Sequence, residues 1–245
     1  MHIDPQLGQL WHHRDAQDTG YILTTCANAS KEFYDANLDH REIEHQFGRY
    51  MNFRGIVDEI KTNKIPGDVI EFGTFQGLSM LMLLQCFAHD TLPRKFIGVD
   101  SFEGLPMSST VWQEGTFNDT SYNHAKSHIY KYFPPNPNFS FELIPGWFSD
   151  PHVPIAIYER SGSAALIHFD ADLGVSTMQA LTIIEPFLVN RVEPMYFLFD
   201  DWGCHPDEVP VAFQSWLDRE SSKFNLTATE VSSTALTKNF KITFS

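Results

Sequence analysis

Two short acidic runs close apolar stretches: Asp170-Ala-Asp172 follows Ile167-His-Phe169, and Asp200-Asp201 follows Tyr196-Phe-Leu-Phe199. Both apolar stretches read as central strands of a sheet, which would set their carboxyl ends side by side. Three or four carboxylates meeting there with no basic residue between them would repel strongly. A bound cation is the expected compensation. Oxygen donors are hard, so Mg²⁺, Mn²⁺ or Ca²⁺ suits Asp170, Asp200 and Asp201 better than zinc, and the scattered Cys26, Cys86 and Cys204 offer no soft ligand set. Such an ion could bind a substrate hydroxyl, lower its pKa and aim its oxygen for in-line attack. Aspartate also favours turns and helix caps. That alternative applies to Asp172 before the Ser176 helix and to Asp201 before Trp202-Gly203.

A second constellation is Glu71-Phe-Gly73-Thr-Phe-Gln-Gly77, at a junction where a short apolar strand gives way to a helix. Glycines there permit a tight turn and close approach of a flat ligand. Asp100 ends the next strand, where a carboxylate can accept both hydroxyls of a ribose. Together these point to an adenosine-type cofactor. A dinucleotide site usually reads GxGxxG, but Thr74 and Phe75 crowd the space its pyrophosphate needs. The ExGxxxG spacing suits S-adenosylmethionine, which carries no phosphate. Glu71 can instead be a polar residue at the strand end that pairs with a nearby base.

The elements that must position these groups follow from periodicity. Val69–Phe72 and Lys95–Asp100 are expected strands flanking a helix through Leu78–Leu84, a βαβ unit. Further strands are expected at 139–144, 164–169 and 195–199, and helices at 176–188 and 209–219. The closing segments 225–231 and 240–244 lack a helix between them, so they should pair as an antiparallel hairpin at the sheet edge. The expected fold is a doubly wound, Rossmann-like α/β domain over residues 1–245. Its sheet should have seven mostly parallel strands and an antiparallel C-terminal edge strand. Residues 1–65 read as a helical N-terminal extension, and 105–138 as a long loop forming a lid over the site.

Composition narrows the partners. Among 245 residues, 42% are hydrophobic and 20% charged, which describes a folded chain rather than a disordered one. Lys plus Arg number 17 against 31 Asp plus Glu, a net charge of -14, which argues against nucleic acid and anionic membranes as partners. The opening Met-His-Ile-Asp-Pro has neither the basic nor the apolar region of a signal peptide, and the cysteines form no disulfide framework. A cytoplasmic protein is expected.

In order along the chain stand Gly67-Asp-Val-Ile-Glu-Phe-Gly73, Val99-Asp-Ser-Phe-Glu-Gly-Leu-Pro106 and Trp112-Gln-Glu-Gly-Thr-Phe117. After them come Gly146-Trp-Phe148, His168-Phe-Asp-Ala-Asp-Leu173 with Ser176-Thr177, and Phe199-Asp-Asp-Trp-Gly203. These six blocks cover about residues 65–220 and resemble the macrocin O-methyltransferase-like class I methyltransferases of antibiotic and sugar-modifying pathways. The resemblance implies Mg²⁺-dependent transfer of methyl from S-adenosylmethionine to a hydroxyl. It implies cofactor contacts from Gly73, Asp100 and Ser101, a metal held by Asp170, Asp200 and Asp201, and a possible homo-oligomer. Two blocks depart from the family pattern. Gly174-Val175 stands where Tyr-Glu is usual, at a position that bears on substrate identity, and Asn190–Pro194 replaces a Gly-Gly turn.

The expected cofactor site therefore comprises Glu71, Gly73, Thr74, Gly77, Asp100, Ser101, Gly146, Trp147 and Asp170, with Trp112, Phe117 and Phe148 as possible apolar walls. Asp170 and His205 are the candidate catalytic groups, since a neutral imidazole can take a hydroxyl proton near pH 7. His168 reads as a core histidine hydrogen-bonded to backbone, and His12-His13 and His124/His128 as surface residues. The acceptor is expected to be a small hydroxylated molecule of sugar or natural-product type. Three alternatives remain: metal-independent methyl transfer to another nucleophile, a nicotinamide-dependent oxidoreductase on the same βαβ unit, and a non-catalytic protein that uses the fold to bind partners, the least economical given the acidic ligands.

Overall fold

The computed structural model describes residues 40–134 and 136–245. Most of the expected N-terminal extension, with Cys26 and His12-His13, lies outside them. The described elements run α1 (His40–Thr62), β1 (Asp68–Phe72), α2 (Leu78–Cys86), β2 (Arg94–Asp100), α3 (Tyr122–Lys131), β3 (Phe139–Pro145) and α4 (His152–Arg160). There follow β4 (Ala164–Phe169), α5 (Gly174–Ile184), a 3₁₀ turn at Glu185–Leu188, β5 (Met195–Phe199), α6 (Val209–Phe224), β6 (Leu226–Ser233) and β7 (Lys238–Phe244).

One seven-stranded sheet is ordered β3-β2-β1-β4-β5-β7-β6. The first five strands are parallel, and β7 pairs antiparallel with both β5 and β6. The expected edge hairpin is thus present, with its second strand inserted against β5 and its first outermost. The chain winds outward from β1 to β3, then crosses back to β4. This reversal leaves a crevice beyond the carboxyl ends of β1 and β4, where open α/β sheets bind ligands.

Strand alternation divides the core in two. Val69, Leu166, Tyr196 and Leu198 pack with Tyr50, Phe53, Ile56, Val57 and Ile60 of α1 and the apolar face of α2. Ile70, Phe72, Ile167, Phe169, Phe197 and Phe199 pack on the other face with Val153 and Ile157 of α4, Leu181 and Ile184 of α5, and Phe213 and Trp216 of α6. In α1 the buried positions recur at three- and four-residue spacing, one helical stripe laid on the sheet. Among the described residues, no helix is long and apolar enough to cross a membrane.

Within the expected helical extension, the described part forms one 23-residue helix, α1. Two local expectations change. The expected loop 105–138 contains α3, started by Ser121, whose hydroxyl accepts the His124 N–H at 3.2 Å. Only Ala125 and Ile129 anchor α3, so its apolar signal is faint. The helix α4 was not foreseen for the same reason: Val153 and Ile157 are its only buried residues, and Pro154 lies inside it.

Gly67 shows how tightly the strand ends pack. Its φ is +122°, and a Cβ there would lie 2.7 Å from the Ala164 carbonyl carbon and the Ala165 nitrogen, both main-chain atoms of β4. Gly67→Ala should therefore cost about 2–3 kcal/mol in urea unfolding. Gly162→Ala, where nothing lies within 4 Å, should leave stability close to the parent. Equal stabilities for the two variants would contradict this packing.

Candidate active site

A cavity of about 740 Å³ opens at the crevice, lined by residues that follow β1, β2, β3, β4 and β5 and by His45, Gln46 and Arg49 of α1. At its β1–β2 end, Gly73, Thr74 and Phe75 turn toward α2, and Asp100 and Ser101 close β2. The Asp100 carboxylate braces the loop: Oδ2 accepts the Phe75 N–H at 2.7 Å and Oδ1 accepts the Phe102 N–H at 2.6 Å. The Thr74 backbone N–H also points at this carboxylate, so three of its roughly four acceptor positions go to the loop and one is left for a ligand hydroxyl. Burial raises the Asp100 carboxyl above its ordinary range, with the backbone donors opposing.

The two loop glycines have reasons beyond ligand access. At Gly73 (φ +88°) a Cβ would overlap the main-chain carbonyl of Asp170, so the β1 turn is pressed against the end of β4. At Gly77 (φ +90°) it would lie 2.6 Å from the Ile129 side chain of α3. The tight turn expected of these glycines is present, and neighbouring protein atoms are a further reason for both. Gly73 lines the cavity and Gly77 does not. Gly146 and Trp147, after β3, also line it, with Trp112, Phe117 and Phe148. Phe75, Phe117, Asp172 and Asp201 hold positive φ between 47° and 67° around this space. Such backbone strain concentrates at functional sites.

At the β4–β5 end stand Asp170, Asp172, Asp200 and Asp201, all on the cavity wall. Alternation explains who faces whom. His168 and Asp170 continue the face carrying Leu166, and Asp200 continues the face carrying Tyr196 and Leu198, which is the face α1 covers. Single donor atoms of His168, Asp170 and Asp200 lie within 4.8 Å of one another. Asp201 lies outside that trio, and its Oδ1 accepts from the Cys204 thiol at 3.3 Å.

The cluster is not free of basic residues, contrary to the reading from sequence. Arg49 Nη1 donates to Asp170 Oδ2 at 3.0 Å and to Asp200 Oδ2 at 2.5 Å, while its Nη2 donates to Gln46 Oε1 at 2.6 Å. His45 Nε2 stands 3.5 Å from Asp200 Oδ2. Burial by itself would raise the Asp200 carboxyl, but Arg49 and His45 outweigh it and hold it well below the carboxylate range. Burial and then the Asp200 charge push Asp170 up to about 8. The same two causes push Asp201 up to about 6. Burial first, and next the Asp201 charge, raise Asp172. One arginine therefore leaves the cluster short of positive charge. Asp200 is 2% exposed, and its Oδ1 has no hydrogen-bond partner among the described residues.

Glu71 does not reach the cavity. It is buried beneath the floor, opposite His168 in the β1–β4 register, with its Oε1 2.9 Å from His168 Nδ1. The alternative reading of Glu71 as partner of a base describes its position, and the backbone partner expected for His168 is a carboxylate instead. Phe53 of α1 meets the His168 ring edge to face at 5.0 Å. His205 also lies off the cavity wall, and its Nδ1 accepts the Asp207 N–H at 3.2 Å. Sequence reasoning missed Arg49, Gln46 and His45. Their one signal was helical spacing, four residues from Arg49 to Phe53 on the stripe that faces the sheet.

Residues 47–237 match the macrocin-O-methyltransferase (TylF) family. The chain is 28% identical over 152 residues to demethyldecarbamoylnovobiocin O-methyltransferase of Streptomyces niveus, covering 56% of this chain and 55% of that one. It is 26% identical over 208 residues to mycinamicin III 3''-O-methyltransferase of Micromonospora griseorubida, covering 79% and 78%. The match thus spans about half the length of the first relative and over three-quarters of the second. The solved structure of the O-methyltransferase NovP has the same fold, with a TM-score of 0.70, 20% identity, and coverage of 92% of this chain and 99% of that one. With its Rossmann-like sheet and its sequence blocks in place over most of its length, the chain belongs to the macrocin O-methyltransferase family.

Proposed function

We propose that this protein transfers a methyl group from S-adenosylmethionine to a hydroxyl of a small polyhydroxylated acceptor of sugar or natural-product type, with Mg²⁺ at the acidic cluster. Membership in an O-methyltransferase family sets the nicotinamide alternative aside. The observation carrying the proposal is that Asp100 and the Asp170–Asp200 pair open into one cavity. With strands about 4.8 Å apart, the ends of β2 and β5 are separated by three spacings, roughly 14 Å. A nucleoside braced at Asp100 then lies across β1, with its far end directed to the carboxylates. Gly73, Thr74, Ser101, Gly146 and Trp147 line the nucleoside part of this path, and no charged side chain stands among them.

The donors fit a hard divalent ion. Asp170 and Asp200 would hold it with Asp201 beside them, and the unpartnered Asp200 Oδ1 is the atom that most needs a cation. Bound there, the ion would supply Lewis acidity toward the acceptor oxygen. The protein's own groups orient and desolvate. Arg49 keeps Asp170 and Asp200 in place through their Oδ2 atoms before an ion is bound, and Asp170, on the cavity wall, is placed to receive the hydroxyl proton. The base is assigned to Asp170 rather than His205, whose Nδ1 is taken up by backbone. Trp112, Phe117, Trp147 and Phe148 keep water from the reacting atoms. Val175, on the wall at 46% exposed, stands where the family usually carries Glu and gives the acceptor an apolar contact there.

Two measurements test the assignment. Calorimetry should detect S-adenosylhomocysteine binding that falls at least about tenfold in Asp100→Ala. Turnover on a hydroxylated acceptor should vanish in EDTA, return with Mg²⁺, and drop by about 100-fold or more in Asp200→Ala. Turnover indifferent to EDTA would leave the metal-independent reading, with Arg49 as the resident cation.

The cluster's charge state also fixes a pH dependence. Asp170 (about 8) and Asp201 (about 6) keep protons in the folded, metal-free protein that the unfolded chain releases near pH 4. Their effect is to lower stability as pH rises from about 4 through 8. Asp200 acts in the opposite sense, but its contribution is lost only in acid, below about pH 4. In EDTA the melting temperature should fall between pH 5 and pH 8, and Asp170→Asn should reduce that fall, with Asp172, Asp201 and His45 acting in the same sense. A melting temperature that rises over this interval would refute the charge assignment.

A further inference from the structure

Arg49 touches the oxygens that a divalent ion would have to share. Its Nη1 bridges Asp170 Oδ2 and Asp200 Oδ2, and Gln46, one helical turn earlier, pins the other terminal nitrogen. Arg49 is 5% exposed and Asp200 2%, so that pair is closed to solvent, while Asp170, its side chain 24% exposed, opens toward the cavity. Two carboxylates this close without a cation between them would be forced apart or protonated. We propose that Arg49 is a tethered counter-ion that keeps the Asp170–Asp200 pair in register while no metal is bound and competes with the divalent ion for it. Arg49 is thus a positioning residue, and α1 sets the metal concentration at which the site fills.

The inference rests on the metal reading above, and the shared oxygens carry it. A divalent ion on Asp170, Asp200 and Asp201 would approach the Oδ2 atoms that Arg49 Nη1 already occupies. Net charge alone would tolerate both cations, but ion and guanidinium repel each other across the same oxygens, so each weakens the other's hold. Nearby Asp172 and His45 act on the same balance from the cavity wall and from α1.

Mn²⁺ binding to the cofactor-free protein, followed by calorimetry and by the electron spin resonance of free Mn²⁺, tests the idea without any turnover. Arg49→Met should melt at lower temperature than the parent in EDTA, yet bind Mn²⁺ at least about tenfold more tightly, and saturating Mn²⁺ should restore most of the lost stability. Arg49→Lys keeps the charge and should bind Mn²⁺ close to the parent. A purely structural role would lower stability without tightening Mn²⁺ binding. Equal or weaker binding by Arg49→Met overturns the competition while leaving the metal site standing. Absence of binding in both parent and variant overturns the metal reading and the competition together. Should Arg49→Met fail to fold, the parent gives the answer by itself. Saturation with Mg²⁺ should shift or release one exchange-protected arginine guanidinium signal in ¹⁵N NMR, and unmoved arginine signals under demonstrated Mg²⁺ binding would refute the proposal.

Discussion

Carboxylates gathered at the ends of two adjacent parallel strands cannot all be charged without a cation among them. Asp170, Asp172, Asp200 and Asp201 line one wall of the same cavity, and the structure relieves part of their repulsion through a single guanidinium. The rest appears as protons retained above the ordinary carboxylate range on Asp170 and Asp201. This unmet charge organises its surroundings. It holds Arg49 of α1 on Asp170 and Asp200, keeps His45 beside Asp200, and leaves Asp200 Oδ1 without a hydrogen-bond partner among the described residues. A site under such electrostatic load favours any arrangement that brings positive charge to it.

The floor beneath is built on different terms. Glu71 and His168 face each other across the β1–β4 register as a polar pair in an otherwise apolar layer. Phe53 seals them against solvent from α1. The pair sits one alternation step below Asp170, so the strand that offers a carboxylate to the cavity is anchored sideways by a hydrogen bond to its neighbour. At the other end Asp100 accepts backbone N–H groups from the turn that follows β1 and from its own loop. Both ends therefore use carboxylates to fasten the elements around the cavity.

The parallel strands were legible because each is a short, wholly buried run such as Met195–Phe199, and the acids at their ends marked the working edge of the sheet. The glycines were legible as turns, but not the reason for them, since the Asp170 carbonyl and Ile129 that crowd Gly73 and Gly77 are distant in sequence. Helices α3 and α4 escaped because two buried side chains apiece give too little periodicity. Arg49 escaped for a deeper reason. A lone arginine in a polar helical stretch looks solvated, and only the tertiary placement of α1 reveals that it neutralises acids more than a hundred residues away. Local patterns report which residues are buried, whereas charge compensation is a property of pairs.

The stripe that runs from Arg49 to Ile60 carries a constraint of phase. Each helical residue turns the axis by about 100°, so Arg49 aims at the acids only while its angular offset from Phe53 and Val57 is kept. A one-residue insertion between Arg49 and Phe53 would leave the hydrophobic seam seated and swing the guanidinium a quarter-turn away. Within α1 the spacing from Arg49 to Phe53 is thus fixed twice, once by packing and once by charge.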